Sequence, residues 1–199
     1  MNNPVSKYVI GVDEVGRGPI AGPVAVGVFV FLCPKSKKLF NGVKESKQLS
    51  EKKREEWFVV INKCKKEGLV DYVVTLQSHS IIDARGISFA INKALEISLK
   101  KLGINCNRSR VLLDGGLKAP PEYKDQKTII KGDEKEMVIA LASICAKVTR
   151  DRAMVKLAKS SKKYAQYGFE KHKGYGTREH YSAIKRFGLL PIHRRSFVN

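Results

Sequence analysis

Residues 10–23 read IGVDEVGRGPIAGP: an apolar run, adjacent carboxylates at Asp13 and Glu14, and then Gly16-Arg17-Gly18. Carboxylates at a strand end can hold a divalent cation through hard oxygen ligands. Glycine backbone N–H groups approach a sugar or phosphate closely, because no Cβ intervenes. Together these features point to a metal beside a phosphodiester. A strand that merely ends in a polar turn also accounts for Asp-Glu-x-Gly, so the rest of the chain has to decide. Side chains alternate across a strand, so Asp13 and Glu14 are expected to share one site only if the strand ends or bulges there.

Residues 8–13 and 23–32 have strand composition. The second run alternates Val24, Val26, Val28 and Val30 with Ala25, Gly27, Phe29 and Phe31. Both faces are apolar, so it is expected to be covered on both sides. Residues 34–41 read as a basic loop. Ser50 is expected to cap a helix continuing over 54–66, with Trp57, Phe58, Ile61 and Cys64 as its apolar stripe and Gly68 as its stop. Residues 70–76 read as a third strand. Residues 81–103 read as mostly helical, with Ile87, Ala90, Ile91, Ala94, Leu95 and Leu99 inward. RVLLD (110–114) is a fourth strand ended by Gly115-Gly116, and 127–131 a short fifth. A long helix is expected from near Asp133, with Met137, Leu141, Ile144, Val148 and Val155 as its inward positions. A glycine-rich basic loop (171–176), a short helix (178–187) and the tail HRRSF (193–197) complete the chain. The expected fold is α/β: one domain over residues 1–199, a mixed five-stranded central sheet flanked by helices, and a basic helical portion from about residue 150.

The 199 residues suffice for one full core. They carry 38 Lys and Arg against 19 Asp and Glu, a formal net charge of +19. Residues 147–199 hold 14 of the basic and only 3 of the acidic residues. Such a field attracts polyanions, and nucleic acid is the natural partner, a lysine-rich solvated surface being the competing reading. No apolar run has the length of a membrane span, and the N-terminus lacks the apolar core of a signal peptide. Cys33, Cys64, Cys106 and Cys145 show no Cys-x-x-Cys spacing and read as reduced thiols of a cytoplasmic protein.

Asp114 falls at the end of the fourth strand and Asp133 between the fifth strand and the long helix. Sites in α/β sheets form at strand ends. If the first and fourth strands are neighbours, Asp13, Glu14 and Asp114 converge, and Asp133 closes the set. Each has a plainer reading: Asp114-Gly115 is a common turn pair, and Asp133 with Glu136 fits a helix cap. Asp151 reads as a helix ion pair. His172, His180 and His193 lack zinc spacing and read as structural or phosphate-contacting residues.

Six stretches carry a family resemblance: GVDEVGRGPIAGPV (11–24), ESKQLS (45–50), LLDG (112–115), KGDEKEMVIALASICAKVTRD (131–151), HKGYGTREHYSAI (172–184) and HRRSF (193–197). In this order, from residue 10 to the end of the chain, they resemble the bacterial ribonuclease HII family. The resemblance implies a ribonuclease H-like fold and an endonuclease that hydrolyses the RNA strand of RNA–DNA hybrids. It also implies cutting 5′ to single ribonucleotides in duplex DNA, leaving 3′-hydroxyl and 5′-phosphate ends. By the same resemblance Asp13, Glu14, Asp114 and Asp133 bind two divalent cations, Mg²⁺ or Mn²⁺. Gly16, Arg17 and Gly18 sense the ribose 2′-hydroxyl, Tyr175 packs on the next sugar, and Lys47 contacts phosphate. A monomer is implied. Two positions depart from the family: Glu45 stands where it usually has Asp, and Leu141 where it usually has Ala. The chain ends just after HRRSF, so no extended clamp-recruiting tail is expected, nor the extra N-terminal domain of ribonuclease HIII relatives. Two competing readings are a junction resolvase acting on DNA alone and a basic RNA-binding protein. The Gly-Arg-Gly turn with a downstream GYGT tyrosine disfavours the first, and the ordered acids disfavour the second.

Overall fold

The computed structural model describes residues 7–43 and 49–198. One mixed sheet runs in the order β3-β2-β1-β4-β5, from β1 (Tyr8–Val15), β2 (Val24–Phe31), β3 (Val70–Gln77), β4 (Ser109–Asp114) and β5 (Gln126–Ile129). β2 pairs antiparallel with β1 and β3, while β4 lies parallel to both β1 and β5. All eight residues of β2 are buried, as its two apolar faces require.

On one face lie α2 (His79–Arg85) and α3 (Ile87–Leu102). Ala90, Ile91, Ala94, Leu95 and Leu99 of α3 join Ile10, Val12, Val26 and Val28 in one core. The other face carries α1 (Glu51–Lys66) and α5 (Met137–Ala158). There Leu141, Ile144 and Val148 pack with Phe29, Phe58 and Ile61. Ser50 caps α1 as expected, its hydroxyl accepting the Lys53 N–H at 3.2 Å.

α5 departs from a one-sided stripe: residues 138–146 are buried without interruption. It is sandwiched between the sheet and α1, so it has no solvent face there. Its backbone lies directly on the strands. A Cβ on Gly11 would come within 2.3 Å of the Val138 carbonyl carbon, and one on Gly27 within 2.5 Å of the Ala142 oxygen. Leu141 is wholly buried, so the larger side chain is absorbed in this core.

Other expectations need correction. Residues 81–103 form two helices, separated at Gly86 (φ 82), and the first begins at His79 under a Ser78 cap. Residues 34–41 contain a 3-10 helix, Pro34–Phe40, whose Phe40 packs on Phe29 and Phe31. Asp133 does not cap the long helix. It lies inside a separate turn, α4 (Gly132–Lys135), and Glu136 precedes α5 in extended conformation. The plainer reading of Asp133 is thereby removed.

Beyond α5, the short α6 (Lys162–Ala165) and α7 (Phe169–His172) and the longer α8 (Arg178–Phe187) surround a third cluster with Ala21, Met154, Tyr167, Phe169 and Leu190. The tail returns to the β1–β2 connection: Arg194 N–H donates to Ile20 O at 2.8 Å, and Gly22 N–H to Ile192 O at 2.9 Å. Among the described residues no helix is long and apolar enough to cross a membrane.

Candidate active site

β1 and β4 run parallel with Val12 opposite Leu113, so Asp13 and Asp114 come level at the next step, towards the C-terminal ends of two inner strands. Gly11 lies under α5, and Leu112 belongs to the α5-side core. By alternation Asp13 and Asp114 share that face. α4 brings in Asp133, and its Gly132 N–H donates to Asp114 Oδ1 at 2.6 Å. From α5, Ser143 hydrogen-bonds the Asp13 carboxylate.

β1 neither ends nor bulges at Asp13. Its register with β2 continues through Asp13–Gly27, Glu14–Val26 and Val15–Ala25. Glu14 therefore starts from the opposite face, and the expected condition for a shared site is not met. Its charge still reaches both Asp13 and Asp114. Arg17 Nε and Nη2 each donate to Glu14 Oε1 at 3.1 Å. Oε2 is buried with no hydrogen-bond partner among the described residues.

Burial pushes the Asp13 carboxyl up to about 8; the Ser143 bond opposes this, and the charges of Glu14, Asp114 and Asp133 add to it. Burial also raises Glu14, against the pull of Arg17. Among the described residues, no three His, Cys, Asp or Glu side chains stand ready as a metal cage. Asp13 Oδ1 accepts the Glu14 N–H at 2.8 Å, Glu14 is drawn to Arg17, and Asp114 holds Gly132. The donor set nonetheless fits a divalent cation. It is all hard oxygen, its members repel one another, and the orphaned Glu14 oxygen has a lone pair to give.

The Gly16-Arg17-Gly18 turn leads straight from Glu14. Gly16 adopts φ 93, and the Arg17 side chain is half exposed. Ile20 and Ala21 N–H both donate to Gly174 O, at 2.9 and 3.2 Å, which brings the Tyr175 loop against this segment. The Tyr175 ring is partly exposed, with Lys147 Nζ and the Arg150 guanidinium each 5.7 Å from its centroid. Lys47 lies outside the described residues. Asp151 pairs with Lys147 at 3.0 Å, the expected helix ion pair.

His172, His180 and His193 are structural. Gly174 N–H donates to His172 Nδ1 at 3.2 Å; His180 Nδ1 lies 2.9 Å from Tyr175 O; His180 Nε2 lies 3.0 Å from His193 Nε2; and Leu190 N–H donates to His193 Nδ1 at 2.7 Å. These contacts are compatible with His193 donating to His180 and His180 to Tyr175. Burial lowers His180 to about 4, although its bond to Tyr175 O opposes this. The folded pKa is below the ordinary 6.5, so only the unfolded chain takes up the proton in between. Stability should therefore fall as pH drops from about 6.5 towards 4, by at most about 3 kcal/mol from this group. Thermal melting across that range checks it. The slope should be shallower in His180→Gln, and equal slopes would contradict the assignment.

Three residues of this region were not singled out by sequence reasoning. Ser143, Arg150 and Arg194 bear on it from α5 and the tail, and both arginines are fully buried. The one signal was positional: Arg150 interrupts a largely apolar helix, and Arg194 sits in a tail motif with no assigned task.

A mixed sheet with carboxylates towards the C-terminal ends of two parallel inner strands, and helices on both faces, is the ribonuclease H-like architecture. The family description Ribonuclease HII matches residues 10–199. Ribonuclease HII of Clostridioides difficile (strain 630) is 45% identical over 193 residues, covering 96% of this chain and 70% of the relative. That of Endomicrobium trichonymphae is 44% identical over 189 residues, covering 95% and 84%. The crystal structure of ribonuclease H2 from Pyrococcus horikoshii OT3 superposes with a TM-score of 0.73 at 29% identity, covering 96% of this chain and 94% of that one. The chain belongs to the ribonuclease HII family. Members of that family are metal-dependent endoribonucleases that hydrolyse the RNA strand of RNA–DNA hybrids.

Proposed function

We propose that this protein, a monomeric cytoplasmic enzyme with one catalytic domain, also cuts 5′ to single ribonucleotides embedded in duplex DNA. The observation that carries the reading is one edge of the molecule. There the buried Asp13 is surrounded by the charges of Glu14, Asp114 and Asp133, and the chain passes directly into the Gly16–Gly18 turn held against the Tyr175 loop. Asp13, Glu14, Asp114 and Asp133 would hold two divalent cations, Mg²⁺ or Mn²⁺. When bound, such ions polarise a phosphate, activate water and stabilise the leaving oxygen.

The protein's own groups do the rest. Gly132 N–H and Ser143 fix the Asp114 and Asp13 carboxylates. Backbone groups of Gly16, Arg17 and Gly18 read the ribose 2′-hydroxyl, which both donates and accepts hydrogen bonds. The Tyr175 ring packs on the following deoxyribose. Lys47 and the basic C-terminal portion contact phosphates, which orient the duplex without reading sequence. The four cysteines are free thiols, in keeping with a reducing compartment. No serine or histidine nucleophile is required.

The test is duplex DNA with one internal ribonucleotide, incubated with and without Mg²⁺, followed by mapping of the cut. A single metal-dependent cut 5′ to the ribonucleotide, leaving 3′-hydroxyl and 5′-phosphate ends, is expected. Cleavage of long hybrids alone would refute the junction reading. Tyr175→Ala should slow single-ribonucleotide cleavage roughly tenfold or more beyond its effect on long hybrids, because a lost positioning contact is costly. Equal slowing of both substrates would make the tyrosine a general structural residue.

A further inference from the structure

We infer that Arg150 and Arg194 are positioning residues that lock the Gly16–Gly18 turn and the Tyr175 loop into one rigid reading edge. The inference rests on the proposed roles of that turn and tyrosine. Arg194, in the tail, donates from Nη2 to Gly16 O at 2.8 Å, from Nη1 to Arg17 O at 3.0 Å and from Nε to Gly22 O at 3.0 Å. Arg150, in α5, donates from Nε to Pro23 O at 2.8 Å, from Nη2 to Ala21 O at 3.4 Å and from Nη1 to Lys173 O at 2.9 Å. One guanidinium thus grips the turn itself. The other spans from the segment behind it to the residue two before Tyr175, while also facing the tyrosine ring. Arg150 lies so close beneath the turn that a Cβ on Gly16 would fall 2.2 Å from its Nε.

Stability alone is a poor account of this pair. Both side chains are fully buried. Among the described residues no carboxylate lies within ion-pair reach of Arg194, and Asp151 approaches Arg150 only to 4.0 Å. Burying a charge without a counter-charge is costly. Six carbonyl bonds offset that cost, and every one goes to residues 16–23 or 173. The planar guanidinium can bridge several carbonyls in a fixed fork, which an ammonium cannot. Neither arginine touches the four acids through any of these bonds, so its removal should spare metal binding.

The test compares Arg150→Lys and Arg194→Lys with the wild type by three measurements. These are Mn²⁺ affinity by calorimetry, amide hydrogen exchange at Ile20 and Gly22, and initial rates on single-ribonucleotide and long-hybrid substrates. Asp83→Ala is the milder companion should a lysine variant fail to fold. The Asp83 carboxylate accepts the Arg195 and Ser196 N–H bonds at 3.0 Å and so steadies the tail that carries Arg194. Folded variants should keep their Mn²⁺ affinity and exchange faster at Ile20 and Gly22; Arg194→Lys, at the turn, should slow both substrates roughly tenfold or more, and Arg150→Lys, which also holds the Tyr175 loop, should slow single-ribonucleotide cleavage roughly tenfold or more beyond hybrid cleavage, as small misplacements do. Wild-type rates in Arg194→Lys or an unchanged ratio in Arg150→Lys overturn the inference, and so does a parallel fall in Mn²⁺ affinity, which marks a general structural role. Tyr175→Ala run alongside separates the two readings. If it leaves the ratio unchanged while Arg150→Lys lowers it and Arg194→Lys slows both substrates, the tyrosine's role falls and the positioning role stands.

Discussion

Asp13→Asn is expected to abolish hybrid cleavage and, without metal, to raise the melting temperature. The two effects share one cause. Burial and the charges of Glu14, Asp114 and Asp133 push the Asp13 carboxyl from 3.8 up to about 8. A raised carboxyl pKa means that the folded protein keeps a proton which the unfolded chain has already released. Its stability therefore falls as pH climbs from about 4 to about 8, and at pH 7 the metal-free fold bears a penalty on the order of 4 kcal/mol. Asparagine keeps an oxygen to accept the Glu14 N–H and carries no charge, so that slope should flatten and melting at pH 7 should rise by at least several degrees. A divalent cation reverses the balance in the wild type by binding only the folded, ionised site. Mg²⁺ or Mn²⁺ should raise wild-type melting and leave the variant nearly unmoved. Residual cleavage in Asp13→Asn near the wild-type rate, or a metal-free melting curve with the wild-type pH slope, would remove Asp13 from the site. Asp133→Asn should also be inactive but folded, because Asp133 caps no helix.

Asp114 was legible at a strand end because the end of β4 can be read from composition. RVLLD followed by Gly-Gly marks where β4 stops, and the parallel β1–β4 pairing follows once the two are neighbours. What was not legible lies in packing. Nothing local separates Asp133 as a cap from Asp133 inside its own turn; the difference is the positive φ of Lys131, which starts α4 early. The stripe read from Met137 to Val155 predicts one inward face, whereas α5 is enclosed because Gly11 and Gly27 let it settle onto the sheet. Composition placed the end of β1 at Asp13, and alternation made an end or bulge there the condition for a shared site; the strand continues to Val15, and Glu14 joins the group electrostatically from the other face. The two buried arginines were invisible for a deeper reason. Their partners are backbone carbonyls, which carry no residue identity, and those of Arg194 lie more than 170 positions away in sequence.

Gly18→Ala is the cleanest probe of the junction-reading turn, and its contrast with Gly16→Ala should be large. At Gly16 two physical penalties coincide. The backbone sits at φ 93, and an added Cβ would meet Arg150 Nε at 2.2 Å. Arg150 cannot swing aside without breaking its bonds to Pro23 and Lys173. Gly16→Ala should therefore lower the melting temperature, with strain of about 1–2 kcal/mol from the backbone alone, and lose cleavage of every ribonucleotide-containing substrate. Its inactivity says nothing about substrate contact. At Gly18 no heavy atom lies within 4 Å of the added Cβ, and φ is outside the left-handed region. Gly18→Ala should melt like the wild type. If the backbone at this point approaches the sugar, the same methyl group occupies the space the ribose needs, and cleavage should fall by roughly tenfold or more, as sub-ångström displacement of a reacting group implies. Melting and initial rates for both variants on both substrates decide the matter. A Gly18→Ala protein that is stable and cleaves like the wild type would mean that the 2′-hydroxyl is read elsewhere, and that the glycine at position 16 serves Arg150 alone.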